Sequence, residues 1–202
     1  MCSSVFPPRS RLVPASFALI PNLIKHHIIE ESIGLIDYLF YHGLSFYAPM
    51  VEFTANAVAA TPETIWRTCI ESMKWESWDP DLREVRDVSG TGLCMEGTTC
   101  TFCMKDGQDL AIKLTNVIIN ESVDFNGSFM NGLLRAEGKV RIMPNANADS
   151  SLSSTSQIKY SFELLGVVGM LAMMFKKNEV VDGTRVGLDN MVRMSEEAQR
   201  GK

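Results

Sequence analysis

The chain has 202 residues, 46% hydrophobic and 21% charged, with a formal net charge of -5. That is enough for one well-buried domain plus an appendage, and it excludes a disordered or fibrous chain. The nineteen Lys and Arg are scattered rather than striped, which excludes the electrostatic footprint of a nucleic-acid partner.

Residues 1–25 carry Arg9, Arg11 and Lys25, hold no acidic residue, and are broken by Pro7, Pro8, Pro14 and Pro21. They read as a leader or a loose tail. Two prolines inside Leu12 to Ile24 make a poor secretory signal, and only the composition suits an organelle transit peptide. From His26 to Tyr47, Ile29, Ile33, Ile36 and Phe40 recur at helical spacing. The stretch is amphipathic, and the run Ile33 to Pro49 is too short and too interrupted for a membrane span, which needs ~20 mostly apolar residues. Docking on the domain or on a second copy in a homodimer is one reading of it. Contact with a membrane surface through residues 28–49, using Tyr38, Tyr41, Phe46 and Tyr47, is another, and a processed extension is a third.

The domain proper is expected over residues 50–199. Val51, Phe53, Ala55 and Ala57 alternate with Glu52, Thr54 and Asn56 as in a half-buried strand. Thr61-Pro62-Glu63 supplies an N-cap, a proline at the first helical position and an acidic first turn. Ile65, Trp66, Cys69, Ile70 and Met73 then form the apolar face of a helix ending near Lys74. A turn with two tryptophans follows, Trp75 to Asp81, and then a meander: strands at Leu82 to Val88, Thr98 to Lys105, Asp109 to Ile119, Ser122 to Met130, Leu133 to Met143 and Thr155 to Leu165. Asp106-Gly107 and Asn131-Gly132 are hairpin signals, and Pro144 to Ser154 is a polar connection. Gly166 to Gln199, free of proline, reads as one long helix.

Cys2, Cys69, Cys94, Cys100 and Cys103 lack the spacing of a disulfide scaffold, so a reducing compartment with buried free thiols is expected: the cytoplasm, with organelle targeting or membrane association as alternatives. Cys100 and Cys103 form a C-x-x-C on a strand, where positions three apart point to opposite faces. No metal site and no cofactor is expected, since no phosphate loop and no His/Asp/Glu cluster at ligand spacing occurs.

The opening Val51 to Trp66, the Trp78-Asp79-Pro80 turn, the glycine-rich link around Gly97 and the closing Gly166 to Glu197 resemble the SRPBCC superfamily, also called START-like or helix-grip, of the polyketide cyclase/dehydrase type. The resemblance implies an α+β fold in which a curved antiparallel sheet wraps a long C-terminal helix, here with an extra N-terminal helical segment. It also implies a hydrophobic cavity that binds a small lipid, polyketide, terpenoid or quinone, and it supplies no catalytic residue, because those vary among members.

Strand alternation puts Cys100, Phe102, Met104, Leu110, Ile112, Leu114, Asn116, Ile118, Val123, Phe125, Phe129, Leu134, Ala136, Val140, Ile142, Ile158, Tyr160, Phe162 and Leu164 on the inward face. Asn116 and Tyr160 are the polar members, either satisfied in the core or orienting a ligand. On the closing helix, a count of 100° per residue groups Leu171, Met174, Val181, Leu188 and Val192 with Asn178 and Arg185. A guanidinium there must pair with a carboxylate, meet an acidic ligand group, or be moved off the stripe by a break near Asp182-Gly183. The expected lining is therefore Trp78, Met95, Phe102, Met104, Asn116, Phe125, Phe129, Tyr160, Met170, Met174, Asn178 and Arg185. All three histidines, His26, His27 and His42, precede the domain. Chemistry in the cavity would thus need a carboxylate with a raised pKa, a thiol, Tyr160, or a histidine supplied by the extension; Tyr160 and Asp124 are the candidates. The function expected is binding of a small hydrophobic ligand. The alternatives are a cyclase or dehydratase in the same cavity, and an interaction module whose N-terminal helix plugs the cavity or forms a dimer.

Overall fold

A computed structural model describes residues 50–129, 134–145 and 155–201. The expected N-terminal helix, the Asn131-Gly132 turn and most of the polar connection fall outside the described residues. Seven antiparallel strands form one sheet: β1 (Val51–Val58), β2 (Leu82–Arg86), β3 (Thr99–Met104), β4 (Asp109–Ile118), β5 (Ser122–Phe129), β6 (Leu134–Pro144) and β7 (Ser156–Leu165). Their order is β1-β7-β6-β5-β4-β3-β2, so the last strand of the meander pairs with the first strand of the domain. Helix α1 (Pro62–Ile65) follows β1, and α2 (Gly166–Arg200) closes the chain. The architecture is the α+β helix-grip arrangement of a curved antiparallel sheet and a long C-terminal helix.

Local chemistry explains the elements. Thr61 caps α1, its hydroxyl accepting from the Thr64 N–H at 3.1 Å, with Pro62 in the first turn. The helix then widens into a π turn over Trp66–Ile70, where the Glu71 N–H donates to the Trp66 carbonyl at 2.9 Å. A helix end leaves carbonyls without intrahelical donors. Here the Trp78 indole N–H donates to the Cys69 carbonyl at 2.8 Å and the Trp75 indole N–H to the Ile70 carbonyl at 3.0 Å. Both tryptophans can thus be 1% exposed without an unsatisfied donor.

The core lies between the concave face of the sheet, α1 with its π turn, and the second half of α2. Trp75 is in ring contact with Trp78, Phe102 and Phe125 at 5.8, 5.5 and 5.5 Å. Gly138 makes room for this cluster: a Cβ there would lie 1.9 Å from the Phe125 ring. The central space is occupied by the chain's own aromatic rings.

Two expectations are corrected. The inward alternation of β4 holds through Leu110, Ile112 and Leu114 and then fails, because the pairing shifts between Thr115 and Ile118 with Asn116 at φ +50°. That bulge leaves Asn116 and Ile118 exposed, and the Asn116 amide donates to Asp124 at 2.7 Å. The irregularity in α2 lies at Lys176 (φ -125°, ψ 17°), not at Asp182-Gly183. Its effect is to rephase the helix. The buried seam of the second half runs through Thr184, Leu188, Met191 and Ser195, so Arg185 falls beside the seam and is exposed, its guanidinium stacked 5.0 Å from the Phe53 ring centroid.

Candidate functional site

Burial of the inward-facing positions is graded along the sheet. On β4, Leu114 is 0% and Ile112 3% exposed, while Leu110 is only half-buried. The same gradient runs from Cys100 through Phe102 to Met104 on β3, from Val140 through Ala136 to Leu134 on β6, and from Ile158 through Tyr160 to Phe162 and Leu164 on β7. All four series open toward one end of the sheet, where β7 hands over to α2. There the first half of α2 sits beside the sheet, with Gly169 so close that a Cβ would lie 2.7 Å from the Leu164 backbone. Met173 packs with Val51, Phe53, Leu164, Val180 and Val181 in a small separate cluster. Met170 and Leu171 are half-buried, and Met174 and Phe175 are 69% and 80% exposed. The concave face is therefore filled at one end and bordered by uncovered apolar side chains at the other, an apolar mouth.

The floor of this mouth is polar. The loop Trp78 to Asp81 runs beneath α2 and is held there at two glycines one helical turn apart. A Cβ on Gly183 would lie 2.6 Å from Asp81 Oδ2, and one on Gly187 would lie 3.5 Å from Tyr160 Cε1 and 3.7 Å from both Pro80 Cδ and Trp78 Cε3. Asn190 fastens the loop, its amide donating to the Trp78 carbonyl at 2.9 Å. Tyr160, 4% exposed, stands edge-on to Trp78 with ring centroids 5.7 Å apart. Asp79 Oδ1 accepts from the Asp81 N–H at 2.9 Å.

Burial, reinforced by the charge of Asp81, pushes the Asp79 carboxyl up to about 6, although N–H groups of Asp81 and Leu82 and the Lys105 charge oppose the rise. Burial also raises Asp81. The Tyr160 phenol is driven well above 10 by burial and then by the charges of Asp79 and Asp81, so it remains a protonated donor. A half-buried acid that titrates near neutrality beside a neutral phenol can exchange a proton with, and donate a hydrogen bond to, a carbonyl or hydroxyl group.

Of the residues expected at the site, Trp78, Phe102, Phe125 and Tyr160 lie together in the core beneath the mouth, and Met104 and Met170 are half-buried at its level. Met95, Met174, Asn178 and Arg185 are exposed. The Phe129 side chain lies outside the described residues. Asp124 is buried on the outer face of the sheet, not the concave one, where it pairs with Arg141 and accepts from Asn116. Asp79 and Asp81 were missed, since in sequence they read as turn residues; their signal was two carboxylates adjoining a pair of tryptophans.

No family model matches this chain, and no curated protein does. Solved structures do. A hypothetical protein from Helicobacter pylori aligns with a TM-score of 0.62 at 11% identity, covering 75% of this chain and 90% of that one. A protein of unknown function from Staphylococcus aureus aligns at 0.54 and 12% identity, covering 78% and 99%. A protein of the dynemicin biosynthetic locus aligns at 0.51 and 12% identity, covering 74% of this chain and 48% of that one. At such identities the likeness establishes the fold alone, a helix-grip-like sheet closed by a C-terminal helix.

Proposed function

We propose that this protein is a member of the SRPBCC superfamily that binds a small hydrophobic molecule in the mouth between the sheet and the first half of α2. The graded burial of the inward face carries this reading: Met104, Leu110, Leu134, Phe162 and Leu164 are half-buried where their strand neighbours are closed. Covering apolar surface returns about 25 cal/mol per Å², so a ligand that completes the burial of these side chains gains roughly 1 kcal/mol from each. The ligand class is lipid, polyketide, terpenoid or quinone. Among the described residues no helix is long and apolar enough to cross a membrane.

The test is an organic extract of the purified full-length protein, read by denaturing mass spectrometry, with naphthalene titrated into the emptied protein. An extract free of apolar molecules together with no naphthalene binding would sink the reading. A second reading, a cyclase or dehydratase acting at the same site, is favoured by Asp79 and Tyr160 standing on the mouth's floor. In that reading Tyr160 donates to a substrate carbonyl oxygen and Asp79 carries the proton, and Asp79→Asn abolishes turnover while the ligand still binds.

A further inference from the structure

The floor of the mouth contains a polar group that the fold leaves unused. Tyr160 is 4% exposed, its hydroxyl makes no hydrogen bond among the described residues, and that oxygen is not among their fully enclosed unpartnered atoms, so the small surface Tyr160 retains includes its hydroxyl. A phenol whose ring is buried and whose oxygen reaches open space presents a hydrogen-bonding group at an apolar edge. This one sits in the last closed layer of β7, directly before the half-buried Phe162 and Leu164, so its neighbours on the open side are the uncovered apolar residues. Beside it runs the loop carrying Asp79 and Asp81. Among the described residues, the other charges acting on those two carboxylates are Asp106, Glu179 and a single cation, Lys105, whose ammonium also donates to the Pro80 carbonyl. The field at the floor is therefore negative.

Resting on the reading above, we propose that Tyr160 and the Asp79–Asp81 loop form a binding subsite for the hydroxyl or carbonyl end of a neutral apolar molecule. Carboxylates such as free fatty acids are excluded. Tyr160 donates to or accepts from the ligand's oxygen, Asp79 offers its second carboxyl oxygen, and the rest of the molecule covers Phe162, Leu164, Leu110 and Met104.

Three matched probes test this in the full-length protein at pH 7: naphthalene, 2-naphthol and 2-naphthoate, titrated while following the fluorescence of the buried tryptophans. Wild type is expected to bind 2-naphthol about two- to tenfold more tightly than naphthalene, the range of one net hydrogen bond, and 2-naphthoate about tenfold more weakly, as a third like charge at a buried acidic site requires. Tyr160→Phe should bring the ratio of 2-naphthol to naphthalene affinity down to about one. Asp81→Asn should strengthen 2-naphthoate binding, and this arm stands even if the Tyr160 variant fails to fold. Equal binding of naphthalene and 2-naphthol, tightest binding of 2-naphthoate, or a preference that survives Tyr160→Phe each overturns the subsite while leaving the apolar mouth intact. Failure of all three probes to bind overturns both.

Discussion

Replacing Asp79 by Asn should stabilise the protein at neutral pH and remove part of its pH dependence. The folded-state carboxyl titrates at about 6 against 3.8 for an unperturbed group, because burial penalises its charge. The folded state thus holds the Asp79 proton more tightly than the unfolded chain does. Its contribution is fully present below pH 4, is lost as pH rises from about 4 to about 6, and is flat above that. A rise of this size corresponds to about 3 kcal/mol; the partial exposure of Asp79 trims this to about 2 kcal/mol. Asparagine has no proton to lose, yet it retains the oxygen that accepts from the Asp81 N–H at 2.9 Å. Urea unfolding at about pH 4.5, 5.5, 6.5 and 7.5 should therefore show Asp79→Asn more stable than wild type by about 2 kcal/mol at the highest pH, with the gap falling below about 1 kcal/mol at the lowest and m-values unchanged. A variant destabilised equally at every pH would refute the reasoning, since it would mean that the charged carboxylate is what holds the loop.

Glycine substitutions should separate according to what their Cβ meets. Gly138→Ala drives a methyl into a Phe125 ring wedged by Trp75 and Phe102, and is expected to cost about 1–3 kcal/mol in chemical denaturation. Gly183→Ala meets only the end of the exposed Asp81 side chain, which can swing aside, and gains up to about 1 kcal/mol of helix propensity; its melting temperature should equal or exceed that of wild type. Burial raises the thiols of Cys69, Cys94 and Cys100 to about 11, 12 and 11, so brief iodoacetamide treatment at about pH 7.5 should leave them unlabelled by peptide mapping until denaturant is added. Phe175→Ser removes an 80% exposed ring and should change stability by less than about 0.5 kcal/mol while weakening naphthalene binding. Met191→Ala, in the closed half of the core, should cost about 2–5 kcal/mol.

The fold was legible because its signals are local and agree with one another. The Thr61-Pro62 cap, the Asp106-Gly107 turn and the period-two runs each specify an element within a few residues, and short connections leave little choice but a meander. The inward face was legible on β3, β5, β6 and β7 for the same reason. It failed on β4 at Asn116, where a bulge shifts the register and the local mark is Asn116 itself, a residue type that tolerates the left-handed φ it adopts. The phase of α2 failed for a related cause: a count at 100° per residue assumes one uninterrupted helix, and the departure at Lys176 involves neither glycine nor proline. Tyr160 followed from alternation, but its acidic neighbours did not. Their charges act on it because the loop that carries them packs between Tyr160 and α2, a segment far along the chain that no local pattern connects to the Trp78 turn.

The division of labour between the halves of α2 follows from where each one packs. The second half lies on Trp78, Tyr160 and the Asp79 loop, fastened by the Asn190 amide on the Trp78 carbonyl, and Leu188 and Met191 seal the core behind it. That packing fixes the axis of this half. The first half starts from Leu165 at the β1–β7 side of the sheet, and the chain passes from one to the other through the departure at Lys176. Met173 is then enough to anchor the first half against Val51, and its remaining apolar side chains, Met174 and Phe175 above all, have nothing of the described chain to cover them. Contiguous uncovered apolar surface of this kind marks a place where a soluble fold meets another molecule. The same geometry that brings an acid to the buried phenol thus leaves the wall next to it open.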